Sequence, residues 1–175
     1  MWGFPMRSLG FSTALAALAT LGCLASTPAI ARQMVAFNGG VSAGTVVVKT
    51  GERKLYYVLG DGRAIRYSVG VGRAGKQWTG QAYIDGKHLR PAWSPPAVVK
   101  RDKPSLPNVI AGGARGNPMG EAALTLSGGE YAIHGTNAPG SVGGFVSYGC
   151  IRMFNRDIVD LYGRVGVGTT VVVTR

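Results

Sequence analysis

From Thr45 onward the chain reads as short apolar runs broken by glycine, with the period of strands. Thr45-Val46-Val47-Val48-Lys49-Thr50 is a β-branched run ended by Gly51, and branched residues in succession suit a pleated surface better than a helix. Lys54 to Leu59 follows, then Gly60-Asp61-Gly62, where Asp-Gly tolerates the positive φ of a tight hairpin. Ala64 to Val69 mixes apolar and polar positions in a rough period of two, the mark of a half-buried strand. Thr79 to Asp85, Ala122 to Leu126, Tyr131 to His134 and Thr169 to Thr174 read as further strands. One helix is expected: Asn155 as N-cap, Asp157 in its first turn, Ile158, Leu161 and Tyr162 on one face, and Gly163 as the stop. The pattern is that of a mainly β domain with one or two short helices.

Three stretches depart from it. Residues 86–120 carry Pro91, Pro95, Pro96, Pro104, Pro107 and Pro118. An irregular segment of this length inside a domain reads as a lid or a substrate-binding wall, with room for a short helix near Val98. Residues 32–44 read as a flexible lead-in. Residues 1–31 read as an export signal: Arg7, an apolar run from Leu9 to Ala25, Pro28, then Ala29-Ile30-Ala31 as the small-x-small cleavage site. Two alternatives stand beside that reading, an uncleaved anchor and lipid attachment at Cys23. The apolar run is shorter than the roughly 20 residues of a spanning helix, and Thr20-Leu21-Gly22 is a poor lipid-attachment box. With cleavage after Ala31, residues 45–175 form one folded domain without a membrane span.

Charge narrows the partners. The net charge is +11, but the basic residues are dispersed, Lys100-Arg101-Asp102-Lys103 being the densest group. Neither a basic helix nor aromatic-basic interleaving is present, so nucleic acid is not expected. An exported basic surface is drawn to anionic polymers such as a cell wall. The two histidines and two cysteines offer no metal-ligand spacing. Gly70-Val71-Gly72-Arg73-Ala74-Gly75 fits a dinucleotide fingerprint, but Lys76-Gln77-Trp78-Thr79-Gly80 after it does not read as a helix. No cofactor or metal is expected.

The candidate chemistry lies in His134-Gly135-Thr136-Asn137 and Ser147-Tyr148-Gly149-Cys150-Ile151-Arg152. Once Cys23 leaves with the signal, Cys150 has no intramolecular disulfide partner. A lone thiol near an imidazole suits acyl transfer: histidine takes the proton and sulfur attacks a carbonyl. Gly149 allows close backbone approach, and Gly143-Gly144 lets the loop fold back on the histidine strand. Backbone amides around Gly149 and Cys150 are candidates to hold a developing oxyanion. Arg152, two residues past the thiol, lies on its side of an extended segment, where its donor fork suits a substrate carboxylate; an ion pair with Asp157 or Asp160 is the alternative. Cys150 should be reactive near neutral pH if an adjacent imidazolium stabilises its thiolate.

These segments resemble the signature of the L,D-transpeptidase catalytic domain (YkuD-like) family, a histidine followed some fifteen residues later by Ser-x-Gly-Cys-x-Arg or Asn. Lys54-Leu55-Tyr56-Tyr57-Val58, Tyr67 to Gly72, Trp93-Ser94-Pro95-Pro96, Asn117-Pro118-Met119-Gly120 and Val167-Gly168-Thr169 also match runs of that family. The resemblance implies a β-sandwich or barrel-like catalytic domain in the cell envelope. It also implies Cys150 as nucleophile, His134 as base, the Ser147-to-Cys150 turn near the oxyanion, and Thr136, Asn137 and Arg152 near substrate. The reaction implied attacks a peptidoglycan tetrapeptide stem, releases D-alanine and passes the acyl group to a stem diamino acid or to an envelope protein. Sensitivity to carbapenems would follow from the same thiol. Water as acceptor, giving a carboxypeptidase, and a catalytically silent wall-binding module are the competing readings. Where many members have Ser-His-Gly-Cys, this chain has Tyr148, so orientation of His134 falls to a backbone carbonyl near Gly135. His88 is expected in a solvated turn at Asp85-Gly86-Lys87.

Overall fold

A computed structural model describes residues 1–3, 32–129 and 131–175; the expected export signal lies, apart from its first three residues, outside them. Among the described residues, eleven strands and two α-helices follow one another: β1 (Arg32–Ala36), β2 (Val46–Lys49), β3 (Lys54–Gly60), β4 (Arg63–Ser68), β5 (Val71–Gly72), β6 (Gly80–Leu89), α1 (Ala97–Asp102), β7 (Ala122–Leu126), β8 (Ala132–His134), β9 (Phe145–Ser147), β10 (Ile151–Arg152), α2 (Asn155–Arg164) and β11 (Thr170–Thr174). Nine of the strands form one sheet in the order β1-β4-β3-β2-β11-β6-β7-β8-β10, while β5 and β9 pair separately.

The ten-residue β6 makes the architecture a sandwich. Its first half, Gly80 to Tyr83, pairs with β11, and its second half, Ile84 to Leu89, pairs with β7. The register shifts between Ile84 and Gly86, where the strand passes from one half-sheet to the other, as strands do at the corner of two packed sheets. The main core lies between the halves: Val46, Val48, Leu55 and Tyr67 from one, Leu124, Ile133 and Ile151 from the other. Ile158 and Leu161 of α2 close it. Gly60, Asp61 and Gly62 all have positive φ at the β3–β4 hairpin, as Asp-Gly requires.

Several expectations are corrected. The lead-in at 32–44 is built into the domain. Its first residues form β1, antiparallel to β4, and Phe37 then lies 5.0 Å from the Tyr56 ring. It covers a second core of Val47, Tyr56, Val58 and Ala64 on the back of the sheet, which is why the valine run is apolar on both faces. Asp85-Gly86-Lys87 is not a turn but the middle of β6, and His88 is exposed on that strand. Phe154, not Asn155, is the N-cap of α2. Asn155 turns its side chain outward from the helix instead, accepting from Thr136 N at 2.9 Å. Gly163 lies within α2, which runs one residue further. Strands β5, β9 and β10 are too short to show a period in sequence.

Candidate active site

The parallel pairing of β8 with β10 builds the site. Ile151 pairs with Ile133, and Arg152 with His134. Both isoleucines point into the core, so strand alternation puts His134, Cys150 and Arg152 on the opposite face together. All three line one groove with Tyr131, Ser147 and Tyr148. The facing wall comes from the proline-rich segment: Trp93, Pro96, Val98, Val99, Pro118 and Met119. The irregular stretch expected as a lid or wall therefore faces the cysteine.

His134 is 4 % exposed. Its Nδ1 lies 2.7 Å from the Gly135 carbonyl, an oxygen that can only accept, so Nδ1 carries the proton and Nε2 is the basic nitrogen. Burial, and next the positive charge of Arg152, push the imidazole down to about 4, against the opposing pull of the Gly135 and Pro118 carbonyls. The ring is neutral near pH 7. This corrects the expectation of an imidazolium stabilising a thiolate: the cation facing the sulfur is Arg152. Burial lowers the Arg152 pKa from its usual value, while the Cys150 thiolate raises it. Arg152 Nη1 donates to Ser141 Oγ at 3.0 Å, and its buried Nε has no hydrogen-bond partner among the described residues. The ion pair considered for it is not formed. Asp157 pairs with Arg156, and Asp160 pairs with Arg32 and Arg164.

The nucleophile turn is fastened by its own residues. Ser147 Oγ accepts from Gly149 N at 3.1 Å and donates to the Cys150 carbonyl at 2.6 Å. The Gly149 amide is thereby committed, which removes it from the oxyanion donors expected of this turn. Trp78 Nε1 donates to the Gly149 carbonyl at 3.0 Å, and its ring stacks on Tyr131 at 5.2 Å and 6°. Only glycine fits between them: Gly149 has φ +129, and a Cβ there would stand 2.2 Å from Tyr131 Cε1. The Tyr148 hydroxyl donates to Asp102 Oδ2 at 2.8 Å.

Thr136 and Asn137 lie elsewhere. They line a neighbouring recess with Phe154, Asn155 and Arg156. Thr136 Oγ1 accepts from Ala138 N, and Asn137 Nδ2 donates to the Arg115 carbonyl. Trp78 and Tyr131 brace the nucleophile turn, a role their sequence positions do not show; Asn155, expected as a helix cap, instead accepts from Thr136 N. A tryptophan inside the polar run Lys76-Gln77-Trp78-Thr79 was the one available signal.

The YkuD family, described as the L,D-transpeptidase catalytic domain, matches residues 43–173. The chain belongs to this family. The "Probable L,D-transpeptidase YbiS" of Escherichia coli K12 is 38% identical over 135 residues, 72% of this chain and 43% of that protein. The chain thus spans less than half the length of this curated relative. An L,D-transpeptidase structure from Mycobacterium smegmatis superposes with a TM-score of 0.61 at 17% identity, covering 86% of this chain and 81% of that one; at that identity it speaks for the fold alone. A Brucella melitensis structure titled as a probable carnitine operon oxidoreductase is 38% identical, with a TM-score of 0.55 over 85% of this chain and 96% of that one. The YkuD-family chain described here has no helix after its glycine fingerprint. Val71 and Gly72 lie on β5, and residues 73–79 lead as a loop into β6. The helix N-terminus that would hold a pyrophosphate is not at this position.

Proposed function

We propose that this domain is an exported peptidoglycan L,D-transpeptidase, with Cys150 as nucleophile and His134 as base. The observation that carries the reading is the shared face of His134, Cys150 and Arg152 in one groove. A tetrapeptide stem enters with a carboxylate toward Arg152, a half-buried cation lining the groove. Neutral His134 takes the thiol proton as sulfur attacks the carbonyl of the third residue. The carbon–sulfur bond forms, the bond to the terminal D-alanine breaks, and the imidazolium returns its proton to the departing amine. The thioester then acylates an amine, and the thiol is restored. Ser147 and Gly135 hold the two reacting side chains in place. The acceptor is a second stem's diamino acid, giving a 3→3 cross-link, or a side chain of an envelope protein. Residues 1–31 act as the export signal, cleaved after Ala31, and carbapenems acylate Cys150.

The test is incubation with purified tetrapeptide muropeptides, with and without a diamino acceptor. The expected result is D-alanine release with formation of a cross-linked dimer, both lost in Cys150→Ala. Tripeptide without dimer at any acceptor concentration overturns the transferase and leaves a carboxypeptidase. Turnover that survives Cys150→Ala overturns the mechanism.

A further inference from the structure

The roof of the groove, residues 90–120, is fastened at both ends. At its base, buried Asn117 shares its Nδ2 among the carbonyls of Pro91, Ile110 and Ala111 at 2.9, 3.2 and 3.0 Å. Trp93 and Ile110 exchange backbone hydrogen bonds of 2.8 Å there. At its tip lies α1, which buries only Val99, so little apolar contact keeps it down. One oxygen makes up for this. Asp102 Oδ2 accepts from Tyr148 Oη and from Arg73 Nη2, each at 2.8 Å. The Arg73 guanidinium lies 4.1 Å from the centre of the Tyr148 ring. Arg73 N donates in turn to the Ser147 carbonyl at 3.0 Å. The flap tip, the loop after β5 and the nucleophile turn, far apart in sequence, therefore meet at one carboxylate.

We propose that Asp102, Arg73 and Tyr148 form a clasp that holds the α1 flap over Cys150 and so favours an amine over water as acyl acceptor. Arg73 and Asp102 are positioning residues: they act through the flap and touch no reacting atom. The inference rests on the transpeptidase reading above. Both products arise at the same thioester. Amine attack breaks the carbon–sulfur bond and gives an amide, whereas water attack breaks the same bond and gives the free tripeptide acid. The flap turns Pro96, Val98 and Val99 toward the sulfur, and such a wall excludes water while an acceptor stem is held by the groove. The charged side chains of the clasp are 44 % and 37 % exposed, so its bonds compete with solvent. Losing it should shift the closed-to-open ratio about fivefold. The phenol of Tyr148 thus holds the flap through Asp102.

The experiment compares the full chain with Asp102→Ala, Asp102→Asn, Arg73→Ala and Tyr148→Phe. It reads the dimer-to-tripeptide ratio from tetrapeptide muropeptides and, separately, the iodoacetamide rate at Cys150 without substrate. Asp102→Ala and Tyr148→Phe should lower the product ratio about fivefold and speed alkylation, with Asp102→Asn intermediate. The ratio is blind to how much enzyme is folded, so a general loss of stability does not imitate this result. An unchanged ratio and unchanged alkylation in Asp102→Ala overturn the clasp. If the parent enzyme forms neither product, the transpeptidase reading fails, and the clasp is then decided by alkylation alone.

Discussion

Replacing Gly149 by alanine tests whether the nucleophile turn is held as described. The substitution puts a side chain at φ +129, in the region that favours glycine, which costs about 1–3 kcal/mol. The new Cβ also meets Tyr131 Cε1, Cδ1 and Cζ at 2.2, 2.8 and 2.9 Å. Tyr131 cannot simply yield, because it stacks on Trp78, and Trp78 holds the Gly149 carbonyl. Forcing that stack apart adds about 1–3 kcal/mol of overpacking. Taken at mid-range the two sum to about 4 kcal/mol, and at about 3 °C per kcal/mol the melting temperature should fall by about 12 °C. A displacement of about 1 Å at the sulfur would slow acylation about a hundredfold. Gly143→Ala is the matched control: its φ is +93 but a Cβ there meets nothing within 4 Å, so only the backbone term remains. Thermal denaturation by circular dichroism and the rate of acylation by a carbapenem, measured on both variants, read the difference. If Gly149→Ala melts no lower than Gly143→Ala and acylates at the parent rate, the stacked support of the nucleophile turn is wrong.

Two further outcomes follow from the same geometry. His134 titrates near 6.5 when unfolded and near 4 when folded, so between those values the native state binds fewer protons. Stability from this group is complete above about pH 6.5 and falls by about 3 kcal/mol as pH drops toward 4. His134→Gln should remove that slope from denaturant titrations, and kcat/KM should keep its value down to about pH 5, so an acid limb at pH 6 to 7 counts against a neutral buried base. Ser147→Ala deletes an oxygen that serves both Gly149 N and the Cys150 carbonyl. Leaving buried backbone groups unpaired should cost about 2 kcal/mol and slow acylation; calorimetry with no change in melting temperature would contradict this.

Much of the fold is legible in the sequence. β7 and β11 lie within a residue of their sequence assignments because their apolar runs are bounded by glycine or turn residues. β1 was missed because Arg32-Gln33-Met34-Val35-Ala36 is an edge strand whose burial alternates only between exposed and intermediate. Asn155 misled because asparagine caps helices well, yet its oxygen here serves the Thr136 amide across a loop. The chemistry-bearing residues stood out because each needs a specific functional group: thiol, imidazole, guanidinium.

Sequence alone determined the strand-rich class and the family, and it singled out His134, Cys150 and Arg152, since residue type and local period are properties of neighbouring positions. Tertiary structure decided the charge of the base, which amide of the nucleophile turn is already committed, and what Tyr148 touches. Each of those depends on burial and on partners such as Arg152, Trp78 and Asp102 that approach only when distant segments close on one another, and no local pattern encodes that approach.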